Sequence, residues 1–285
     1  MRGITPTIKH LIIINVLLWI ATLSIGTYGQ ELNNLFALHF PKNGLFQPWQ
    51  IITHMFMHAS YVLGPTGAYT VYFQHILFNM FALWMFGSAV EQTFGKKKFI
   101  FFYISAGLGA ALISLGVDYA QFLSIVSDLS IDISGDAIKE ILAIDSNNGK
   151  GYLTGELFSK GLQPIVGNYN LIINPNDFGI LFNLNATGLG FKTMVGASGA
   201  IMGVLVAYGM LFPESKLMLI FLPIPIKAKY FIPAIIGLDL FSALTGVSLF
   251  SPSNTAYIAH LGGAFTGFIM MWYWKKNQFN DKRWD

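Results

Sequence analysis

Ser198 and His260 are the side chains of this sequence that are best suited to catalysis, because both are reactive groups within strongly apolar segments. A serine hydroxyl becomes an effective nucleophile when a base removes its proton, and histidine is the usual base. The two groups then have to approach within about 2.6–3.2 Å of each other. We predict that Ser198 is a catalytic nucleophile and that His260 is its base.

Glycines accompany both residues on the faces that would have to meet. Ser198 lies beside Gly196 and Gly199, and Gly263 and Gly267 follow the predicted base on its own helical face. Packed helices normally lie about 8–10 Å apart. Small residues permit a closer approach in membranes. These glycines therefore predict direct contact between the two segments, as supports of the site.

Donors for a developing oxyanion are the remaining requirement for attack on a carbonyl group. The amide of Asn79 can donate a hydrogen bond, and His75 lies one helical turn earlier on the same face. The backbone N–H of Ser198 is a further donor. We predict that these three groups stabilise the oxyanion.

The composition is that of a membrane protein. Of 285 residues, 54% are hydrophobic and 11% are charged, against about 25% charged in soluble domains. A membrane-spanning helix needs about 20 apolar residues. Six stretches approach that length: 10–28, 71–90, 98–117, 194–212, 230–249 and 255–274. We predict an all-α polytopic membrane protein with six transmembrane helices.

Cysteine is absent, which excludes disulfides and thiolate chemistry. The net charge of +3 is small, and no basic patch suggests a nucleic-acid partner.

The distribution of positive charge orients these helices. With both termini in the cytoplasm, twelve of the 17 Lys and Arg residues fall inside, as the positive-inside rule requires. The second, fourth and sixth helices then run inwards, so His75, Asn79, Ser198 and His260 lie at a similar depth near the outer surface. Polar groups at membrane depth are costly and are functional candidates.

Two outer segments interrupt the spans. In "PWQIITHMFMHAS" the periodicity predicts a short interfacial helix with Trp49, Ile52 and Phe56 on one face and Gln50, His54 and His58 on another. Residues 118–192 form a polar insertion between the third and fourth helices, in which "SGDAIKEILAI" and "TGELFSKGL" predict capped helices. We treat residues 1–285 as one membrane domain with this extracytoplasmic insertion.

Each feature of the site also has a structural explanation. Glycine–serine pairs are common packing devices in membrane helices. A histidine in a span can simply hydrogen-bond a neighbour, and His75 with Asn79 could clamp two helices together. Only the combination of the four residues at one depth favours catalysis.

Three segments resemble the signature segments of rhomboid intramembrane serine proteases in order and spacing: "HILFNMFALWMFGSAVEQTFG" (75–95), "GASGAIMG" (196–203) and "AHLGGAFTG" (259–267). The resemblance runs from the first helix to the sixth. It implies a six-helix rhomboid bundle in which Ser198 and His260 form a dyad without an acid. It also implies His75, Asn79 and the Ser198 N–H as oxyanion donors.

The sequence departs from the family pattern at three places. Gln50 follows Trp49 where the family has arginine, which puts an arginine-dependent loop network in doubt. Met202 stands where an aromatic residue often stacks on the catalytic histidine, although methionine can also pack on an imidazole ring. The insertion 118–192 is long for the family and could guide substrate access.

We therefore expect a serine endopeptidase that hydrolyses peptide bonds in or near the transmembrane segments of single-span membrane proteins. Its partners are then these substrates and the lipid bilayer, with no nucleic acid, no metal and no cofactor. The oligomeric state, the natural substrate and the role of Asp239 are left open. We find no presequence, which favours a bacterial inner membrane.

Other functions remain as alternatives. A catalytically silent rhomboid-like protein would bind transmembrane clients without cutting them, and a transporter could use Asp239 on an ion path. His54 and His58 have the spacing of a metal-binding pair but lack an acidic third ligand nearby. The HExxH pentad of zinc proteases, a pair of intramembrane aspartates and a lysine at membrane depth are all missing.

Overall fold

α-Helices provide most of the regular structure in the computed structural model, which describes residues 3–64, 68–147, 153–186, 193–219, 222–247 and 255–278. The helices are α1 (Pro6–Ser24), α2 (Gln30–Phe36), α3 (Gln50–Thr53), α4 (Gln74–Ala82), α5 (Ser88–Phe94), α6 (Lys96–Ser127), α7 (Gly135–Leu142), α8 (Gly155–Tyr169), α9 (Pro175–Leu184), α10 (Ser198–Leu211), α11 (Ala228–Thr245) and α12 (Thr255–Gln278). A 3₁₀ turn, His54–Phe56, continues α3, and a π-helical turn, Leu83–Gly87, joins α4 to α5.

The strands are short and form two-stranded antiparallel sheets. They are β1 (Leu38–His39), β2 (Tyr61–Leu63), β3 (Tyr69–Val71), β4 (Thr193–Met194), β5 (Lys216–Leu219) and β6 (Leu222–Lys227). β2 pairs with β3, and β5 pairs with β6, as hairpins. β1 pairs with β4, with Leu38 opposite Met194, so the first outer loop is tied to the segment that leads into α10.

Over its described residues each of the six apolar stretches is mainly helical, and the stretches are occupied in order by α1, α4 with α5, α6, α10, α11 and α12. In the described part of the chain, α1, α6 and α11 are long and apolar enough to cross a membrane, and α10 is a shorter apolar helix. The all-α membrane class is confirmed, and the count of six spans stays a prediction. So does the orientation, since Arg2, Lys150, Lys192, Lys282 and Arg283 lie outside the described residues.

α10 lies at the centre of the bundle. Its residues from Gly199 to Ala207 are all buried, and it contacts α6, α11, α12 and the π-helical turn. A helix that is apolar on every side is a core helix. The position of α10 therefore depends on how closely its neighbours can approach it.

Glycines bring α10 and α12 into backbone contact. A Cβ atom on Gly263 would lie 1.8 Å from the carbonyl oxygen of Gly199, and one on Gly267 would lie 2.6 Å from the Cα of Gly203. These distances leave no room for a side chain. The contact between the two segments that the glycines predict is therefore confirmed.

α6 is longer than a membrane span needs and carries the insertion. Its 32 residues extend about 48 Å at 1.5 Å per residue, beyond the roughly 30 Å of a bilayer core. The helix continues to Ser127, past the predicted end of the span at residue 117, so the insertion begins within a helix. Phe122 packs with Ile138, Leu142 and Leu184 of the insertion and with Phe40 of the first loop.

The helices of the insertion are capped and have a core of their own. Ser134 accepts a hydrogen bond from the Ala137 N–H at 3.1 Å, and Thr154 accepts one from the Leu157 N–H at 3.4 Å, as the two capped helices were expected to show. Apolar side chains of α7, α8 and α9 pack together around the buried Phe158. The described residues of segment 118–192 thus form helices that pack on one another next to the end of α6.

Gln50 organises the first outer loop in place of the family arginine. Its side chain is fully buried. The Nε2 group donates to the carbonyl oxygens of Asn34 at 3.1 Å and Leu45 at 2.9 Å. The Oε1 atom accepts from the N–H groups of His39 at 3.3 Å and Gln47 at 3.1 Å. An uncharged amide therefore supplies the loop network that the sequence had put in doubt.

A short helix is present at the predicted place, as α3 and the 3₁₀ turn after it, but its faces match only in part: Phe56 is half-buried against the core, and His58 lies beyond the helix. Trp49 and Ile52 are exposed, whereas Gln50, His54 and His58 are buried. The helix is shorter than the periodicity suggests, because the chain leaves helical geometry at Met57.

Replacing Gly263 by alanine tests the contact between α10 and α12. The added methyl group would have to displace the Gly199 backbone, so we expect destabilisation by about 1–3 kcal/mol, the usual effect of overpacking. The measurement is the thermal unfolding midpoint of the purified protein in detergent. Gly116→Ala on α6 is the control, since a Cβ there meets nothing within 4 Å. Equal midpoints for the two variants would contradict the close contact.

Gln50→Ala tests the loop network. It leaves several buried backbone groups without partners, so we expect a loss of about 2–4 kcal/mol of stability, seen as a lower unfolding midpoint. Gln121→Ala, on an exposed position of α6, serves as the matched control. If both substitutions were equally mild, Gln50 would not hold the loop.

Candidate active site

Four residues predicted to act in catalysis line one cavity. Its volume is about 510 Å³, and its walls include Ser198, His260, His75 and Asn79. They come from α10, α12 and α4, which are remote in sequence. The prediction that these side chains meet at one place is therefore consistent with the fold, and two of the predicted supports, Gly196 and Gly199, line the same cavity.

Ser198 is the first residue of α10. The first N–H groups of a helix have no acceptor within it, and they carry the positive end of the helix dipole. The first helical bond in α10 is the one from the Ile201 N–H to the Ala197 carbonyl, at 2.9 Å. The N–H of Ser198 thus lies beside its own hydroxyl without a helical partner.

α10 is also too short to span the hydrocarbon region. Its 14 residues extend about 21 Å, against the roughly 30 Å of a bilayer core. A helix of this length that reaches one membrane face begins below the other. This length fits the predicted depth of Ser198 beneath the outer surface.

Gly196 joins the first loop to the site. Its backbone φ of +124° lies in a region that residues other than glycine rarely adopt. A Cβ atom at this position would lie 3.0 Å from Nε2 of His75. Its N–H donates to the carbonyl oxygen of His54 at 2.9 Å. Only glycine fits here, between the loop, His75 and the start of α10.

His75 presents a donor towards the cavity. The N–H of Ala59 donates to its Nδ1 at 3.2 Å, so in the neutral ring the proton resides on Nε2. That nitrogen faces Gly196. The ring also packs edge-on against His58, with centroids 5.0 Å apart.

Asn79 is nearly buried and lines the same cavity. Its Nδ2 donates to the carbonyl oxygen of His75, one turn earlier, at 2.8 Å. An amide nitrogen carries two hydrogens, so a second one remains for a ligand in the cavity. The structure thus holds Asn79 in a fixed orientation beside His75.

His54 and His58 serve the scaffold of the loop. His54 donates from Nδ1 to the Gln50 carbonyl at 2.9 Å. Burial lowers the pKa of His54 to about 4 and the pKa of His58 to about 3, so both rings are neutral near pH 7. Over the described residues, no three His, Asp or Glu side chains are grouped so as to hold a metal ion.

His260 has a partner that the sequence did not assign to it. Its Nδ1 lies 3.0 Å from Oδ2 of Asp239 on α11. The family resemblance implies a dyad without an acid, whereas here a buried carboxylate contacts the imidazole. The signal in the sequence was Asp239 itself, an acidic residue in the middle of an apolar stretch.

Ser198 and His260 share the cavity, and within the described structure no hydrogen bond joins their side chains. Their pairing as a bonded dyad stays a prediction. Met202, one turn after Ser198, is buried and lines the cavity. Gly263 and Gly267, the other two predicted supports, lie where α12 contacts α10.

A protein-family model described as "Rhomboid domain" matches residues 45–127 and 158–277. The matched ranges include Ser198, His260, His75 and Asn79. The unmatched residues 128–157 lie within the insertion.

Three curated relatives give the extent of the similarity. "Rhomboid protease GluP" of Bacillus subtilis is 27% identical over 112 residues, which cover 38% of this chain and 20% of that protein. The human "Presenilin-associated rhomboid-like protein, mitochondrial" is 26% identical over 200 residues, 70% of this chain and 33% of that protein. "Rhomboid protein 1, mitochondrial" of Saccharomyces cerevisiae is 22% identical over 204 residues, 72% and 39% respectively. The chain thus covers well under half the length of each relative.

Proposed function

The chain belongs to the rhomboid family, and from this membership and the shared cavity we propose that it is an intramembrane serine endopeptidase. It hydrolyses peptide bonds in or near the transmembrane segments of membrane proteins, with Ser198 as nucleophile and His260 as base. The observation that carries the proposal is that Ser198, His260, His75 and Asn79 line one cavity.

The first chemical step forms an acyl-enzyme. The Ser198 Oγ attacks the carbonyl carbon of the substrate, and its proton passes to Nε2 of His260. The imidazolium then donates this proton to the leaving amine as the C–N bond breaks. Water, deprotonated by the same imidazole, hydrolyses the ester and restores the Ser198 hydroxyl.

The oxyanion of the tetrahedral intermediate needs donors that are already oriented. The Nε2–H of His75, the free amide hydrogen of Asn79 and the backbone N–H of Ser198 are the proposed donors. The Ala59 N–H supports this role, because it occupies Nδ1 of His75 and leaves the proton on Nε2. Asn79 is held in turn by the His75 carbonyl.

The substrate has to be locally unwound. A transmembrane helix satisfies its own backbone hydrogen bonds and hides its carbonyl groups. We propose that single-span membrane proteins with small or helix-breaking residues near their outer end are preferred. We propose that the insertion guides access, because its described helices share a hydrophobic cluster with Phe122 of α6 and Phe40 of the first loop.

The chain is a multi-pass membrane protein, and the relatives reported above come from a bacterium and from mitochondria. The sequence led us to expect a bacterial inner membrane. The origins of these relatives do not favour that location over a mitochondrial membrane. The distribution of Lys and Arg supports the proposal that both termini face the inner side.

Ser198→Ala and His260→Ala are expected to abolish cleavage of a purified single-span substrate reconstituted in liposomes. Each variant removes one partner of the proton transfer and leaves the packing of α10 on α12 in place. Ser88→Ala is the matched control, since it removes a buried hydroxyl on α5 away from the cavity. Cleavage that persists in pure Ser198→Ala protein would refute the proposal. Binding of substrate without cleavage by the wild type would favour the catalytically silent alternative.

Asn79→Ala is expected to slow cleavage without abolishing it. Loss of one oxyanion donor costs on the order of 10²-fold in kcat, with little change in KM. The measurement is steady-state kinetics on the same substrate, with the unfolding midpoint as a check on folding. An unchanged kcat would remove Asn79 from the oxyanion site.

A further inference from the structure

Asp239 is a buried carboxylate in the middle of α11, with 6% of its surface exposed. A carboxylate at membrane depth is costly unless it is paired. Within the described part of the chain its hydrogen-bond partner is Nδ1 of His260, at 3.0 Å. Lys229, the second residue of the same helix, forms an ion pair with Glu214 at 2.5 Å. Asp239 thus faces the proposed base.

This contact selects one tautomer of His260. An ionised carboxylate can only accept hydrogen bonds, so Nδ1 of the imidazole carries the proton. The lone pair of a neutral ring then lies on Nε2, which is the nitrogen that the proposed proton transfer from Ser198 requires. A second ionisable ring, His75, lines the same cavity, and the Ala59 N–H on its Nδ1 leaves Nε2 as a donor.

We propose that Asp239 is a positioning residue for catalysis, which makes the site a Ser198–His260–Asp239 triad. The inference rests on the proposed protease function. The carboxylate orients the imidazole and fixes the Nδ1–H tautomer. When Nε2 takes the proton of Ser198, Nδ1 keeps its own, and Asp239 stays ionised beside the imidazolium. The proton on Nε2 then passes to the leaving amine, so Asp239 neither gains nor loses a proton.

A purely structural tie between α11 and α12 is the competing explanation, and Asp239→Asn distinguishes the two. Asparagine has nearly the same shape and can still hydrogen-bond the ring, so a tie would survive with near wild-type activity. The asparagine NH₂ group would instead donate to Nδ1 and move the ring proton to Nε2. A positioning role therefore predicts a large loss of kcat with KM nearly unchanged.

The expected loss in Asp239→Asn is on the order of 10³-fold or more in kcat, as for the wrong tautomer in serine-protease triads. Asp239→Ala is expected to be no worse than Asp239→Asn, although it removes more of the side chain. Asp239→Glu restores a carboxylate and is expected to recover part of the activity. Unfolding midpoints are measured for each variant, and kcat and KM are measured on the single-span substrate in liposomes.

Ser242→Ala is the matched control on the same helix. Ser242 lies one turn after Asp239, is also buried, and its hydroxyl has no partner among the described residues. If Ser242→Ala keeps the wild-type kcat, a disturbance of α11 packing near Asp239 does not by itself explain the loss of kcat in Asp239→Asn. Should Asp239→Asn not fold, Asp239→Ala and Asp239→Glu carry the test, since a positioning role predicts recovery of kcat only with the carboxylate.

Near wild-type kcat in a folded Asp239→Asn protein, or in folded Asp239→Ala, would overturn the triad. If Ser198→Ala and His260→Ala were inactive at the same time, the proposed protease function would stand without it. A wild-type protein with no Ser198-dependent cleavage would remove both.

Discussion

Backbone contact between α10 and α12 is the constraint on which the rest of the site depends. Gly199 meets Gly263, and Gly203 meets Gly267, at distances that exclude any side chain. Because these contacts fix the distance between the helices, Ser198 at the start of α10 and His260 on α12 reach the same cavity. In a bilayer, where apolar burial does not drive helices together, such close packing is a principal source of stability.

The polar groups around the cavity are held from outside the bundle. Gln50 joins the first loop, His54 links that loop to the Gly196 N–H, and β1 pairs with β4 just before α10. The same loop delivers the Ala59 N–H to His75. Each tie is a hydrogen bond between uncharged groups, so this wall of the cavity is fixed without burying an unpaired charge.

The sequence predicts the helices and the four cavity residues because both depend on local patterns. Apolar length gives the spans, and glycines around Ser198 and His260 give the contact. The partner of Asp239 is not predictable in this way, because it depends on the rotation of α11 against α12. The extension of α6 to Ser127 is missed because polar residues there resemble a loop. From the sequence alone, Gln50 suggests that the loop network of the family arginine is lost, because the hydrogen-bond partners of its side chain are visible only in the structure.

The most direct test of the central claim is fluorophosphonate labelling of the purified protein, with the modified peptide identified by mass spectrometry. A hydroxyl activated by His260 predicts a single adduct on Ser198, formed in the wild type and lost in His260→Ala. A wild-type protein that stays unlabelled, or an adduct on another serine, would contradict the account.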